Sequence, residues 1–491
     1  MTIVYCDYTN GDDDNGDGSA GNPYKTITKA STGLTGGDEV RCAKSPAPSS
    51  LDGNLTFADG SKSVATSVDM TGSLAAMDFV GLNTAGETWW EISSITSTTI
   101  TLVRAYSGTG GTGAGYKLGV TDTGTPASYN TNVQTISAKG TDNLTKLKIS
   151  GGWNLSGTPA KDGVTWFWCS AADRDGIGLY ASSKFYISIE NIGFLRYYRC
   201  LYFTSVHNFS ISDCTFSGSR TYGILIDGSG AALTDVVIVA NASDGLNWTS
   251  GVNLGFENVT LISNGGKGAY FAYCTSLLFD GIVSNRNYIG LHFVSCSDMT
   301  FIDVVCNSDT AYAIQLQKSA NDVVFYGLAH NKPDYWEGIN FTDCENDGKA
   351  VIFGESISGG ASSDIIRFSG GWIEPNTSEA DGGTGKCLKF TPQSDMYYIH
   401  QNFQVPVSAS TARTVSIKMK DNASFNGSVY LELWYRGVCI VGPTEKTMTT
   451  SYAAQEMTAT SGMIAADGVL TLKIKVYGTA GAVYADTLTY S

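Results

Sequence analysis

Two columns of side chains through the middle of this sequence are of the types that carbohydrate recognition uses. Tyr202, Leu225, Asn247, Tyr270, His292, Gln315 and Asn340 recur at intervals of 22 to 25 residues. Asp175, Arg199, Tyr222, Asp244, Lys267, Tyr312 and Glu337 recur just ahead of them, with Tyr335 and Trp336 beside the last. Aromatic rings offer a sugar a flat face to stack on, and amides and charges supply partners for its hydroxyls. The same residues would equally make a solvated strand face with stacked tyrosines, or a contact between copies.

Bond cleavage makes stricter demands. Glycoside hydrolysis needs two carboxylates roughly 5–10 Å apart. Asp244 and Glu337 fall four repeats apart, about 19 Å at the spacing of adjacent strands. Asp227 and Asp244 fall on adjacent repeats but in different columns. A lyase needs a positioned base and a cation to hold a substrate carboxylate. Arg199 could be that cation, but no acidic cluster faces it in these columns. His292 stands alone, and His207, His330 and His400 fall at unrelated places. No Gly-x-Ser-x-Gly, His-Glu-x-x-His or P-loop pattern occurs. No catalytic residue can be named, and the sequence does not argue for an enzyme.

Two further groups invite chemistry. Asp13-x-Asn15-x-Asp17-Gly18 alternates oxygen ligands before a turn glycine, like the first half of a calcium loop. Tyr24 stands where the closing glutamate of such a loop would be, and a solvated acidic turn is the other reading. Near the C-terminus, Trp372, Tyr397, Tyr398, Trp434 and Tyr435 are candidates to stack on sugar. Trp434 alternates with Leu433 and is expected to point opposite to Leu431 and Leu433. It could instead cover a second apolar layer or a subunit contact.

The elements that must position these groups follow from periodicity. A tetrad recurs as Gly176–Leu179, Cys200–Phe203, Gly223–Ile226, Gly245–Trp248, Gly268–Phe271, Gly290–Phe293, Ala313–Leu316 and Gly338–Phe341. Its second and fourth members are apolar and its third varies, which is the period of a strand with one buried face. One strand per 22 to 25 residues leaves no room for a crossover helix, so each repeat reads as a coil of a parallel β-solenoid. A second apolar column runs through Ile189, Ile211, Leu233, Phe256, Phe279, Phe301 and Phe325. Two residues after each come Asn191, Asp213, Asp235, Asn258, Gly281, Asp303 and Gly327, types that tolerate a left-handed backbone and predict a sharp bend. A third column, Asn241, Asn264, Asn285, Asn307 and Asn331, predicts amide ladders from coil to coil.

Composition agrees. The 491 residues include 57 glycines and only 16% charged residues, which suits strands and turns and allows two or three domains. A net charge of −15 without a basic run argues against nucleic acid or an anionic membrane as partner. No stretch of apolar residues is long enough for a membrane span. The start, Met1 to Asp7, has no basic segment and no apolar segment, so no secretory signal is expected there. Eleven cysteines, among them Cys274, Cys296 and Cys344 in one column, lack metal spacing and are expected to be buried, reduced thiols.

The domain reading is all-β. Residues 1–53 form a cap and first coil, with Tyr24, Ile27, Ala30 and Leu34 on one face of a short helix. Residues 54–119 lack the repeat and form a small inserted β-module. Residues 120–358 form the parallel β-helix. Residues 359–491 alternate cleanly, as in Val415–Met419, Val429–Tyr435 and Leu470–Val476, and form an antiparallel β-sandwich.

The segments Asp12–Ser19, Asn22–Ile27 and Gly37–Val40, together with the coils at 147–355, resemble the pectate-lyase-like right-handed parallel β-helix superfamily. That superfamily holds polysaccharide lyases, hydrolases and many bacteriophage tailspike and tail-fibre proteins. The last domain resembles jelly-roll carbohydrate-binding modules, and Ala482–Leu488 looks like their final strand, where an aspartate, here Asp486, helps hold a structural calcium. The resemblance implies a right-handed solenoid and a virion fibre or tailspike that binds cell-surface polysaccharide. It further implies a symmetric trimer with other virion proteins as partners. A polysaccharide-degrading enzyme and a purely structural virion component are the alternatives. One departure is that the cap begins at residue 3, without a preceding virion-anchoring domain.

Overall fold

The computed structural model describes the chain except residues 83–87, 108–109, 129–130, 308, 318–320, 332–336, 343–350, 354–365, 369–370, 377–386, 393, 436–437, 465–467 and 491. It divides into two units, Met1–Leu291 with Asn307–Thr310, and His292–Cys306 with Ala311–Ser491.

The first unit is a parallel β-solenoid. A typical coil has three strands, as in Arg199–Thr204, Ser210–Ser212 and Thr215–Ser217, each paired in parallel with its counterpart in the next coil. The second apolar column is in register as far as Phe279: Val4, Val40, Ile149, Ile189, Ile211, Leu233, Phe256 and Phe279 sit opposite one another on successive strands. All but Val4, which is half-buried at the solenoid's first strand, are buried, and the rings of Phe256 and Phe279 stack at 4.9 Å. Asn191, Asp213, Asp235, Asn258 and Gly281 all have φ between 52° and 64°, the predicted bend.

Two registers differ from expectation. Leu179 pairs with Leu201 and Tyr180 with Tyr202, so the first tetrad is Gly178-Leu179-Tyr180-Ala181, not Gly176–Leu179. Gly176 instead turns the chain into the strand with φ 84°. The amide ladder is real, but its later members are Asn287 and Asp309 rather than Asn285 and Asn307. Asn241 Nδ2 donates to Asn264 Oδ1 at 2.9 Å, Asn264 Nδ2 to Asn287 Oδ1 at 3.0 Å, and Asn287 Nδ2 to Asp309 Oδ1 at 3.2 Å. Asn285 is spent as the last residue of the strand Val283–Asn285, opposite Ile262.

The N-terminal cap contains the expected helix as a single turn, Ile27–Ala30, with Ile27 and Ala30 buried. Thr26 caps it, accepting from the Lys29 amide. The inserted module is a closed barrel of six strands, Ser49–Phe57, Ser63–Thr66, Phe79–Gly81, Trp90–Ile95, Thr99–Leu102 and Gly111–Lys117. Its core of Leu55, Phe57, Val64, Trp90, Ile92 and Ile100 is continuous with Val239, Ala240 and Ile262 of the solenoid. The barrel therefore packs on the outside of the solenoid. Cys6, Cys42, Cys169, Cys200 and Cys214 are buried free thiols. Burial pushes Cys200 and Cys214 up to about 12, so neither is a thiolate at neutral pH. Cys344 lies outside the described residues.

In the second unit, Tyr312–Gln317 pairs in parallel with Glu337–Thr342, and that strand with Ile366–Phe368. An antiparallel sandwich follows. One sheet runs Gly371–Asn376, Cys387–Pro392, Val483–Tyr490, Arg413–Asp421, Ala453–Ala459, and the other Ser394–Val407, Gly468–Gly478, Ser428–Tyr435, Val438–Lys446. Val415, Ile417 and Met419 of the first sheet, and Leu431, Leu433, Leu472 and Ile474 of the second, are buried. No helix among the described residues is long and apolar enough to cross a membrane.

Candidate functional site

The register places the outward tetrad residues of the first unit in one row, Tyr180, Tyr202, Leu225, Asn247 and Tyr270, because each tetrad strand pairs in parallel with the next. The rings of Tyr180 and Tyr202 are 5.5 Å apart. The Arg199 guanidinium lies 4.7 Å from the Tyr202 ring and 5.3 Å from the Tyr198 ring. Three coils along, the Lys267 ammonium sits 4.6 Å over Tyr270. Between these ends the row closes in. Asp244 and Asn247 are 6% and 9% exposed, and Asp244 takes hydrogen bonds from Asn247 Nδ2 and the Lys267 amide. Asn247 is thus committed to the protein rather than offered to a ligand. His292, in the second unit, is likewise buried. Trp336 lies outside the described residues.

The acidic N-terminal loop uses its carboxylates on itself. Asp13 accepts from the amides of Lys25 and Thr26 and from the Thr26 hydroxyl. Asp17 accepts from the Ser19 amide, while the Asn15 side chain donates to Asp12. Hydrogen bonds hold the Asp12 and Asp17 carboxyls below the usual carboxylate range. Asp13, Asn15 and Asp17 therefore secure local turns. Asp486 accepts from the amide and hydroxyl of Thr487. Among the described residues no group of three His, Cys, Asp or Glu side chains could hold a metal.

In the sandwich, Trp434 faces away from buried Leu431 and Leu433, as expected. Its indole N–H donates to Glu432 Oε2 at 2.8 Å, and the Lys473 ammonium lies 5.8 Å from the ring. Tyr435 has the parity of Leu433 and is buried at 6% exposure, so it belongs to the core and not to a sugar platform. For Trp372 and Tyr398, on the strands Gly371–Asn376 and Ser394–Val407, only the backbone is described. Lys473 is 1% exposed beside Lys475, and burial first, then its neighbour's charge, lowers its pKa to about 8. The unfolded chain keeps that proton to about pH 10.4, so it binds more protons across this window and Lys473 contributes stability that rises with pH. In NMR of the protein carrying 13C-labelled lysine, one lysine resonance should titrate near pH 8 and vanish in Lys473→Met. A midpoint above pH 10 for that resonance would refute the burial argument.

A second feature was not legible in the sequence. A cleft of about 420 Å³ opens where the barrel's two connecting segments leave the solenoid, lined by Lys44, Trp89, Asp162, Trp166, Asp213 and Thr215 among others. Trp166 stands outward on the strand Thr165–Trp168, and Gly193 is its parallel partner. A Cβ at Gly193 would fall 2.1 Å from the Trp166 ring, so the indole lies flat on bare backbone. The alternation in Thr165–Trp168 signals outward tryptophans, but nothing local says what they face.

Residues 199–335 match the family described as right handed beta helix region, and the solenoid is accordingly a right-handed parallel β-helix. Solved structures similar to this chain include XylC with xylose, 8% identical over 69% of this chain and 70% of that one, TM-score 0.35. A tailspike protein from Acinetobacter baumannii bacteriophage Fri1, a capsular polysaccharide depolymerase, is 10% identical over 92% and 79%, TM-score 0.30. A rhamnogalacturonan lyase is 11% identical over 75% and 90%, TM-score 0.37. No curated protein matches.

Proposed function

We propose that this chain is a tailspike- or fibre-type virion protein whose β-helix binds a cell-surface polysaccharide along the tetrad row. The observation that carries the reading is the paired rings of Tyr180 and Tyr202 with Arg199 against them, repeated in form by Tyr270 and Lys267. Half-buried rings braced by cations are rigid, so stacking a sugar on them costs little conformational entropy. Successive coils advance by about 4.8 Å, comparable with one sugar residue, so a glycan chain laid along the axis can keep step with the row. The sandwich serves as an accessory carbohydrate-binding domain of jelly-roll type, with Trp434 its outward ring. The mature assembly is a homotrimer in a tail appendage, in contact with other virion proteins.

The test is an array of purified bacterial surface polysaccharides. Tyr202→Ala should weaken binding of the best ligand about tenfold or more, some 1.4 kcal/mol, with an unchanged melting transition. Binding that is indifferent to Tyr202 overturns the placement. A monomer in light scattering overturns the fibre reading. Release of reducing or unsaturated ends from the bound polymer would make the protein a depolymerase.

A further inference from the structure

We propose that the cleft at the foot of the barrel is a second saccharide site, separate from the tetrad row, and that it takes an uncharged sugar rather than a uronate. The inference rests on the polysaccharide-binding reading for its class of ligand; its place and charge preference come from the cleft itself.

The cleft is built rather than left over. Its volume, about 420 Å³, is within the range of small-molecule sites. Two glycines make space for two of its side chains. Gly193 lets Trp166 lie flat, and the Lys44 stem crosses Gly163, where a Cβ would sit 3.1 Å from Lys44 Cδ. The connecting segments that form one wall pass close together: a Cβ at Gly119 would fall 2.1 Å from the Pro46 carbonyl oxygen. Trp166 is half-buried, with one indole face spent on backbone, and Trp89 is buried. Broad aromatic surface beside hydroxyl and carboxylate groups matches a pyranose, which has apolar C–H faces and a hydroxyl rim.

Charge decides the kind of sugar. The lining carries one cation, Lys44, and two anions, Asp162 and Asp213, for a net charge of −1. The Lys44 ammonium is already bound to Asp162 at 2.8 Å. No lining cation is left to receive a carboxylate, and Asp213 repels one. The whole chain adds to the repulsion with its net charge of −15.

The test is isothermal titration of the full-length protein with neutral oligosaccharides of mannan, cellulose, starch and chitin, and with oligomannuronate. The last shares the backbone of β-1,4-mannan and carries a carboxylate in place of the hydroxymethyl group of each residue. At least one neutral oligosaccharide should bind, and Trp166→Ala should weaken it about tenfold or more. Should Trp166→Ala also alter the melting transition, the double variant Asp162→Asn with Asp213→Asn decides. It takes the lining from −1 to +1 by removing two of the three charges, and should shift preference toward oligomannuronate. The proposal is overturned if no neutral oligosaccharide binds, if oligomannuronate binds the unaltered protein as tightly, or if the double variant leaves the preference unmoved. Loss of oligosaccharide binding through Tyr202 instead of Trp166 overturns it as well. Tyr202-dependent binding of polymer, with an inert cleft, removes this proposal and keeps the function proposed above.

Discussion

Asn264→Asp should destabilise the solenoid by roughly 3–5 kcal/mol, the cost of a buried charge without a partner. Asn264 is 2% exposed and works in both directions. Its Oδ1 accepts from the amide and Nδ2 of Asn241, while its Nδ2 donates to Asn287 Oδ1 and to the Ile238 carbonyl. An aspartate keeps the acceptor and replaces the donor by a second anionic oxygen, aimed at two lone-pair groups. The ladder shows where an acceptor-only side chain is tolerated. Asp309 stands at its far end, accepting from the amide and Nδ2 of Asn287 and from the Ser284 hydroxyl. The deficit of Asn264→Asp should shrink as pH falls. The buried carboxyl would titrate above its unfolded value, so the native state binds the extra proton and regains a donor. Denaturant unfolding over a pH series measures both effects, and a variant as stable as the parent at neutral pH would show that the ladder carries no weight.

Glu91→Ala should cost a similar amount, roughly 3–5 kcal/mol, by leaving a guanidinium buried alone. Glu91 belongs to the barrel strand Trp90–Ile95, and Arg196 to a corner of the solenoid. Arg196 Nε donates to Glu91 Oε1 at 2.7 Å and Arg174 to Oε2 at 2.9 Å. The side chains of Glu91 and Arg196 are each 2% exposed. Burial pushes the Glu91 carboxyl above the ordinary range, and the two guanidiniums pull it back. Gly218 leaves the room, since a Cβ there would meet Glu91 Oε2 at 2.9 Å. The loss should appear first as faster amide exchange in the barrel, because this bridge ties the module to the coil. Arg174→Ala should cost less, since Arg174 is 17% exposed and Glu91 keeps Arg196. A loss below about 1 kcal/mol for Glu91→Ala, ordinary for a surface substitution, would mean that apolar packing alone docks the barrel.

The two expectations differ in how they could have been found. The asparagine column is periodic, so the ladder's existence was legible; its phase was not, because Asn285 and Asn287 both precede the next glycine. Only strand pairing separates them, with Asn285 opposite Ile262 and Asn287 free to turn inward. The first tetrad slipped for the same reason, since Gly176 and Gly178 offer equal local patterns and the partner strand chooses. The Glu91 bridge left no trace, as its members lie 105 residues apart and no repeat relates them.

Legible in the sequence alone were the solenoid, the existence of its columns but not the phase of every member, the bend at Asn191, Asp213, Asp235, Asn258 and Gly281, the inserted module and the C-terminal sandwich. Each of these is written in the side-chain period of a single strand or in a residue type that lowers the cost of a left-handed backbone. Other corners escaped because their residues give no such signal: Ser205, Ser250 and Ser295 have φ between 52° and 57°, and Ala240 and Arg196 have φ 57° and 63°. There the stacked coils impose the conformation and offset its cost. Which outward residues remain open to a ligand was decided by tertiary structure alone. Asn247 is tied to Asp244, while Trp166 lies on Gly193 and lines a cleft with Trp89 of the barrel. Periodicity tells a side chain which way to face, and only the packing of distant segments decides what it meets there.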